Sequence, residues 1–356
     1  MKKSLIALAV LAAAGAASAQ SSVTLYGVLD ASVGTVKNGI SERTAGAVAD
    51  VNAVRQNKVD SSGMRNSRWG IKGTEELGNG LKANFVLEQG INVDDGTVAN
   101  TSGSIDGFNR EASVGVSGNF GAVKLGRLYS PYDDARALTN NTADHNFAAT
   151  RDVWGASGKG DYAIRFNNAV RFDSAVYNGF SGAVAYGLGE NKNAIDNVKN
   201  DATDNIALHV KYVNGPLAVV YAHQTQEQKS AAVAPFAVPA STKFNLIGAS
   251  YDFGVAKLTG SYNKVKAAAS MEDTEYQFGV SAPVGPVTLF AGYAHAKGET
   301  AGVKNGESNG YDLLAVYPLS KRTDVYGGYK SVTDKNAAGV KEGEKKQFAV
   351  GIRHAF

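Results

Sequence analysis

From Val23 the chain alternates between two kinds of position. Val23, Leu25, Gly27, Leu29, Ala31 and Val33 are apolar or glycine, and Thr24, Tyr26, Asp30 and Ser32 between them are polar, with Val28 the exception. A period of two places successive side chains on opposite faces of a strand, so one face is apolar and the other polar. The pattern returns in Leu81, Ala83, Phe85 and Leu87 against Lys82, Asn84, Val86 and Glu88, and in Ile206, Leu208, Val210 and Tyr212 against Asn205, Ala207, His209 and Lys211. Tyr276, Phe278, Val280 and Ala282 form another apolar row, and the chain ends on Phe348, Val350, Ile352, His354 and Phe356.

Short turn signals such as Gly78-Asn79-Gly80, Asn119-Phe120-Gly121, Asn214-Gly215-Pro216 and Val284-Gly285-Pro286 join these strands in pairs. Between the pairs lie longer polar segments at 35–66, 92–108, 130–161, 190–203 and 225–242. Sixteen strands are predicted, beginning near Ser22, Ser67, Leu81, Asn109, Ala122, Ala163, Phe180, Asp204, Leu217, Lys243, Ala256, Thr274, Val287, Ser308, Thr323 and Lys346. Tight turns at one end and long loops at the other describe an all-β, antiparallel, up-and-down transmembrane barrel, and an even count places both termini on the periplasmic side. A two-sheet sandwich would also alternate, but it does not keep short and long connections in strict succession. Nor would it set an aromatic near the end of its apolar rows, as Tyr212, Tyr251, Tyr262, Tyr293, Tyr317 and Tyr329 do here. Closure leaves no sheet edge, which a hydrocarbon layer demands.

The first residues read as an address. Lys2 and Lys3 precede an apolar stretch from Leu5 to Ala14 and a small-residue site, Ala17-Ser18-Ala19. This is the pattern of a secretory signal peptide cleaved after Ala19, leaving residues 20–356 as one barrel domain. Its removal leaves 34 basic against 33 acidic residues, so the net charge falls from +3 to +1. So small a charge excludes a nucleic-acid binder. The absence of Cys removes thiolate metal sites, disulfides and cysteine nucleophiles together. A mean hydropathy of −0.19 with no further long apolar run excludes a helical membrane protein. With no phosphate loop and no metal-ligand spacing, no cofactor or metal is expected.

Several stretches resemble one family. They are VTLYGVLD at 23–30, SRWGIKGTEELGNGLKANFVLE at 67–88, VGVSGNFGAVKLGR at 114–127, NAVRFDS at 168–174 and the terminal GIRHAF. Together they resemble the Gram-negative porins, in particular the trimeric general porins of β-proteobacteria; only Ser113 and Ala175 depart modestly from the pattern. The resemblance implies an outer-membrane homotrimer whose subunits are sixteen-stranded barrels with water-filled pores for ions and small hydrophilic solutes. It implies that the third long loop, at 129–161, folds inward as a constriction. It also implies contact with outer-membrane lipids including lipopolysaccharide, and that Phe356 is the signal read by the outer-membrane assembly machinery.

A channel requires a polar wall and a field that sorts ions by charge. Lys72 and Lys82 have lumen parity, and on parity or resemblance Arg68, Arg127 and Arg165 are expected at the constriction, with Arg110 and Arg171 behind them. Asp133 and Asp134 of the loop are expected to oppose them. Arg110 and Arg127 share parity with apolar neighbours, so each needs a strand end or a bend to reach the pore. Five basic wall residues against two loop acids suggest weak anion preference. Two rival functions are weighed against this one. A sugar-type channel would use Tyr129, Tyr132, Phe147 and Trp154 of the loop as an aromatic path. A barrel hydrolase would need a rim histidine, and His145 beside Asp144 is the only plausible base of the five histidines.

Overall fold

The computed structural model describes residues 22–38, 54–99, 107–140, 147–155, 162–190, 193–195, 198–200, 203–228, 240–267 and 270–356. The segment 1–19, expected as a signal peptide, and His145 lie outside these residues. In chain order the first strands are β1 (Ser22–Asn38), β2 (Arg55–Ser61), β3 (Arg68–Gly78), β4 (Leu81–Gly90), β5 (Glu111–Gly118) and β6 (Gly121–Tyr129). Two helices follow, α1 (Pro131–Thr139) and α2 (Thr150–Val153). Then come β7 (Arg165–Ser174), β8 (Phe180–Gly187), β9 (Asn193–Ile195), β10 (Val198–Asn200), β11 (Asn205–Asn214), β12 (Leu217–Gln228) and β13 (Ala240–Asp252). The last are β14 (Lys257–Ala267), β15 (Met271–Val284), β16 (Val287–Thr300), β17 (Val303–Pro318), β18 (Thr323–Asn336) and β19 (Lys341–Ala355).

Antiparallel pairing runs strand to strand around a ring that closes where β1 meets β19, from Val28↔Ala355 to Asn38↔Lys345. Beyond the last paired strand residue, the backbone groups of Phe356 and Gly27 exchange hydrogen bonds of 3.1 Å in both directions. The Phe356 ring then covers Gly27, where a Cβ would stand 2.3 Å from it. The ring holds sixteen positions because β2 and β3 share one. β2 pairs with the upper half of β1 and β3 with its lower half. Between them the segment 62–67 leaves the sheet.

The predicted strands therefore hold, and their ends are corrected. The segment 35–66 is not all connection: it contains the end of β1 and the whole of β2. The ribbon of β9 and β10 occupies part of the segment expected as a loop at 190–203. Strands expected from Lys243, Thr274, Ser308 and Lys346 begin earlier, at Ala240, Met271, Val303 and Lys341. The cause is common to all four. Beyond the apolar belt a strand is wetted on both faces, so its rows lose the hydrophobic signal while the ladder of hydrogen bonds continues.

The apolar rows stand outward. Val23, Leu25, Val114, Leu125, Ile247 and Phe278 are exposed on the barrel surface, as a lipid-facing wall requires. The outer row also carries Tyr212, Tyr251 and Tyr317 near the turns, and Tyr262 and Tyr293 nearer the loops, forming two aromatic levels. The polar rows face the interior. Both helices lie on this interior side, α1 against β11–β14 and α2 against β16–β18. Ser130 caps α1 by accepting the Asp133 N–H at 3.2 Å, and Pro131 opens the first turn, where its missing N–H is harmless.

Candidate functional site

The helix-bearing segment is held to the inner wall by both packing and charge. Tyr132 and Leu128 are buried with Phe166, Val220, Phe244, Leu246 and Val265, so the inner wall is apolar where the segment rests on it. Glycines allow the approach. A Cβ at Gly248 would stand 2.5 Å from Thr139, and one at Gly328 would stand 2.8 Å from Phe147. The Tyr132 hydroxyl donates to Asn263 at 2.6 Å, the Ala149 N–H donates to Asp312 at 2.9 Å, and the Gln277 amide donates to the Thr139 carbonyl. His209 faces inward as its parity predicts, with Nδ1 at 2.8 Å from the Pro131 carbonyl oxygen.

Asp152 of α2 ties the far end to β18 and β19. Its carboxylate pairs with the deeply buried Lys330 and, at 2.6 Å, with Lys345. Burial opposes its charge, but the two ammonium groups outweigh that and hold its carboxyl below the usual carboxylate range. A depressed carboxyl contributes stability that is present above its unfolded value and lost as pH falls through the folded one. Channel noise is therefore expected to stay constant from about pH 7 to about pH 5 and to rise only once the pH falls below the ordinary carboxylate range. Single-channel recordings at fixed ionic strength check this, and noise rising already near neutrality would contradict it.

The basic residues can be placed by register. In an antiparallel pair, partners share a face, and the inner His209 leads through Ala183, Asp173, Ala122 and Ser117 to Lys82. Glu88 therefore lies on the inner row of β4, and through Gly70 so does Tyr26. Arg68, two residues from Gly70, is inner as well; its Nε stands 3.3 Å from Glu88. Arg110 precedes β5 and escapes the parity of Ala112 and Val114 in the way expected of a strand end. Its Nε donates to Glu88 at 2.7 Å and its Nη2 to the Tyr129 hydroxyl at 2.6 Å.

Arg127 and Tyr129 need the bend. An unbroken count from Lys124 would put both on the outer row. Instead Gly126 adopts a φ of 127°, accessible to glycine, and pairing with β7 shifts register between Gly126 and Leu128. Beyond it Leu128 is buried under α1, while the Tyr129 hydroxyl reaches Glu88, Arg110 and Arg165. Arg165 donates to that hydroxyl at 2.7 Å and lies over the Tyr129 ring, 4.3 Å from its centre. Arg127 binds neutral partners, the Asn109 carbonyl oxygen at 2.7 Å and the Asn167 side chain. Three guanidinium groups thus gather at Tyr129 and Glu88, with Arg127 nearby and Glu111 across the strand from Glu88. Tyr129, Tyr26 and Glu88 were not singled out in the sequence as charge partners.

The two loop acids part company. Asp134 pairs directly with Arg171, which also binds Asp173 at 2.6 Å, so that charge is neutralised locally. Asp133 is buried and accepts from the Tyr162 hydroxyl at 2.5 Å, which makes it part of the helix start. Lys82 pairs with Glu76 at 2.6 Å near a periplasmic turn, and Lys72 lies over the Tyr26 ring. The aromatic path is corrected too: Tyr132, Phe147 and Trp154 are buried against the wall and Tyr129 is engaged by arginine, so they line no sugar slide.

A closed barrel with an apolar exterior, aromatic levels and a charged interior defines a transmembrane channel. A family model described as Gram-negative porin matches residues 5–337. Outer membrane porin protein 32 of Delftia acidovorans is 36% identical over the full length of both chains. Major outer membrane protein P.IB of Neisseria gonorrhoeae is 32% identical, covering 91% of this chain and 92% of its own. The solved anion-selective porin from Comamonas acidovorans matches with a TM-score of 0.74 and 31% identity, over 95% of this chain and all of that one. The chain belongs to the Gram-negative porin family. It is an outer-membrane β-barrel through which ions and small hydrophilic solutes diffuse passively, and porins are not enzymes.

Proposed function

We propose that this porin prefers anions weakly, and that the segment 129–161 forms its constriction. The observation that carries the reading is the gathering of Arg68, Arg110 and Arg165 at Glu88 and Tyr129, with Glu111 across the strand from Glu88 as the other nearby acid. Arg127, held by neutral partners, adds to the excess. Arg171 contributes little field because Asp134 and Asp173 neutralise it. Fixed charges beside a narrow, low-dielectric neck act more strongly than in bulk water, so a net positive wall raises the local anion concentration. The anion-selective Comamonas relative supports the same sign.

Homotrimeric assembly, contact with lipopolysaccharide and recognition of Phe356 by the assembly machinery belong to this reading, as does signal cleavage after Ala19. Reversal potentials under a KCl gradient test the selectivity, and a cation-selective sign rejects it. Arg127→Ala is expected to lower anion preference, whereas Lys264→Ala is expected to change it little. Lys264 stands on the outer row of β14 beside Tyr262, outside the pore. Equal shifts from the two substitutions would show the constriction to be elsewhere.

A further inference from the structure

Toward the periplasmic turns from the arginine cluster, the inner wall of β1 and β3–β6 is hollowed, enclosing about 480 Å³. Register orders its residues by height. Glu88 and Glu111 are partners at one level, and Lys72, Val86 and Ser113 are partners at the next. Thr74, Asn84 and Lys124 share the level beyond, each step being about 7 Å at the rise of a β-strand. Most charges around the hollow are paired off. Lys124 binds Asp173 at 3.1 Å, Lys82 on the turn side binds Glu76 at 2.6 Å, and Glu88 is taken up by Arg68 and Arg110. Lys72 and Glu111 are left over. The Lys72 ammonium lies 5.1 Å from the centre of the Tyr26 ring, and Glu111 accepts the Ser113 hydroxyl at 2.8 Å. Among the described residues neither forms an ion pair.

The two stand on β3 and β5, one level apart, with Val86 of β4 between them. Strand spacing and rise put their Cα atoms about 12 Å apart. Thr24, Thr74, Asn84 and Ser113 line the hollow around this gap with hydroxyl and amide groups. Glu111 also faces Glu88 directly across the strand, a like-charge pairing that a cation beside Glu111 relieves. A simple anion would satisfy Lys72 and leave Glu111 opposed. A solute that carries both charges satisfies both.

We infer that this hollow is a transit site for small zwitterions of dipeptide size. The solute's carboxylate meets Lys72, its ammonium meets Glu111, and the polar groups between them face the hydroxyls of the wall. An extended dipeptide holds its termini about 7 Å apart, and charge-assisted hydrogen bonds of about 2.8 Å at each end bring the span within reach of both side chains. The site goes beyond the anion preference and rests only on the barrel and its register. Current noise of the purified porin in planar bilayers, titrated with glycylglycine near pH 6 where both termini are charged, tests it. The singly charged analogues N-acetylglycylglycine and glycylglycinamide are titrated alongside. The parent is expected to bind glycylglycine roughly two- to fivefold tighter than either analogue, the scale of one partly exposed ion pair. Lys72→Gln should erase the preference over glycylglycinamide and keep the preference over the acetylated form. Glu111→Gln should do the reverse, so each variant shows through its surviving preference that the barrel is intact. A parent that binds the acetylated anion as tightly as glycylglycine would overturn the proposal, as would variants that keep both preferences or lose both together. Reversal potentials in KCl alone read the anion preference separately, so either reading can fail without the other.

Discussion

Arg165→Gln lowers the chloride-over-potassium permeability ratio by roughly three- to tenfold in about 0.1 M KCl. The size follows from the partners of this residue. Arg68 and Arg110 both lean on Glu88, whereas Arg165 binds the phenol of Tyr129 and carries its charge without a carboxylate among its described contacts. Removing it therefore takes away one full unit of field and strands no buried acid. A unit charge about 5 Å from a permeating ion acts with about 0.8 kcal/mol even at the dielectric of water. It acts in opposite directions on chloride and potassium, so the ratio feels it twice, and salt then screens part of it. Tyr129→Phe should move the ratio in the same direction but less, because Arg110 and Arg165 lose their shared acceptor and keep their charges. Reversal potentials of the two variants against the parent measure both effects. An unchanged ratio for Arg165→Gln would remove this cluster from the selectivity neck.

Asp30→Ala should cost the folded barrel about 3 kcal/mol or more, a large effect for one side chain. Asp30 is fully buried on the inner row of β1, where the sheet position shared by β2 and β3 is interrupted. Its carboxylate accepts the N–H groups of Gly63, Met64 and Arg65 at 3.1, 2.9 and 2.7 Å, and the Tyr326 hydroxyl at 2.5 Å. Alanine would leave three backbone donors buried without that acceptor, at about 1 to 3 kcal/mol each before any water enters. The consequence reaches the pore, because Met64 of this turn packs with Phe147, Tyr326 and Leu314. The turn on one side and the wall on the other thus enclose the far end of the helix-bearing segment. The detergent-resistant folded form should melt roughly 5 °C or more below the parent. Asp30→Asn, which keeps one acceptor oxygen, should fall between them. Equal melting of Asp30→Ala and the parent would mean that this carboxylate supports nothing.

Much of the architecture was legible before any coordinates. Period-two rows mark which residues can face lipid, and the order of short and long connections makes the sheet an up-and-down barrel. Parity also placed Arg68, His209 and Arg171 correctly inside. It failed at Arg110, Arg127 and Tyr129 because a strand end and a left-handed glycine break the count there, and no residue pattern announces the direction a bend takes. One signal was available and unused. Ala222, Phe244, Leu246 and Val265 put apolar residues on a row that should be wet, which marks where the helix-bearing segment packs.

Taken alone, the sequence determined the barrel, its orientation, its family resemblance and the inventory of charges. Those follow from short-range rules: alternation, turn chemistry and the requirement that no backbone group stay unpaired in lipid. Which charges cancel was decided only by the tertiary structure. Asp134 opposes Arg171 alone of the expected arginine wall, and Asp133 turns into the start of a helix. Glu88, read merely as a polar strand residue, became the carboxylate that Arg68 and Arg110 share. Pairing depends on distances of a few ångströms between residues 22 to 62 positions apart, set by barrel closure and by the path of one inserted segment. No local pattern encodes those distances.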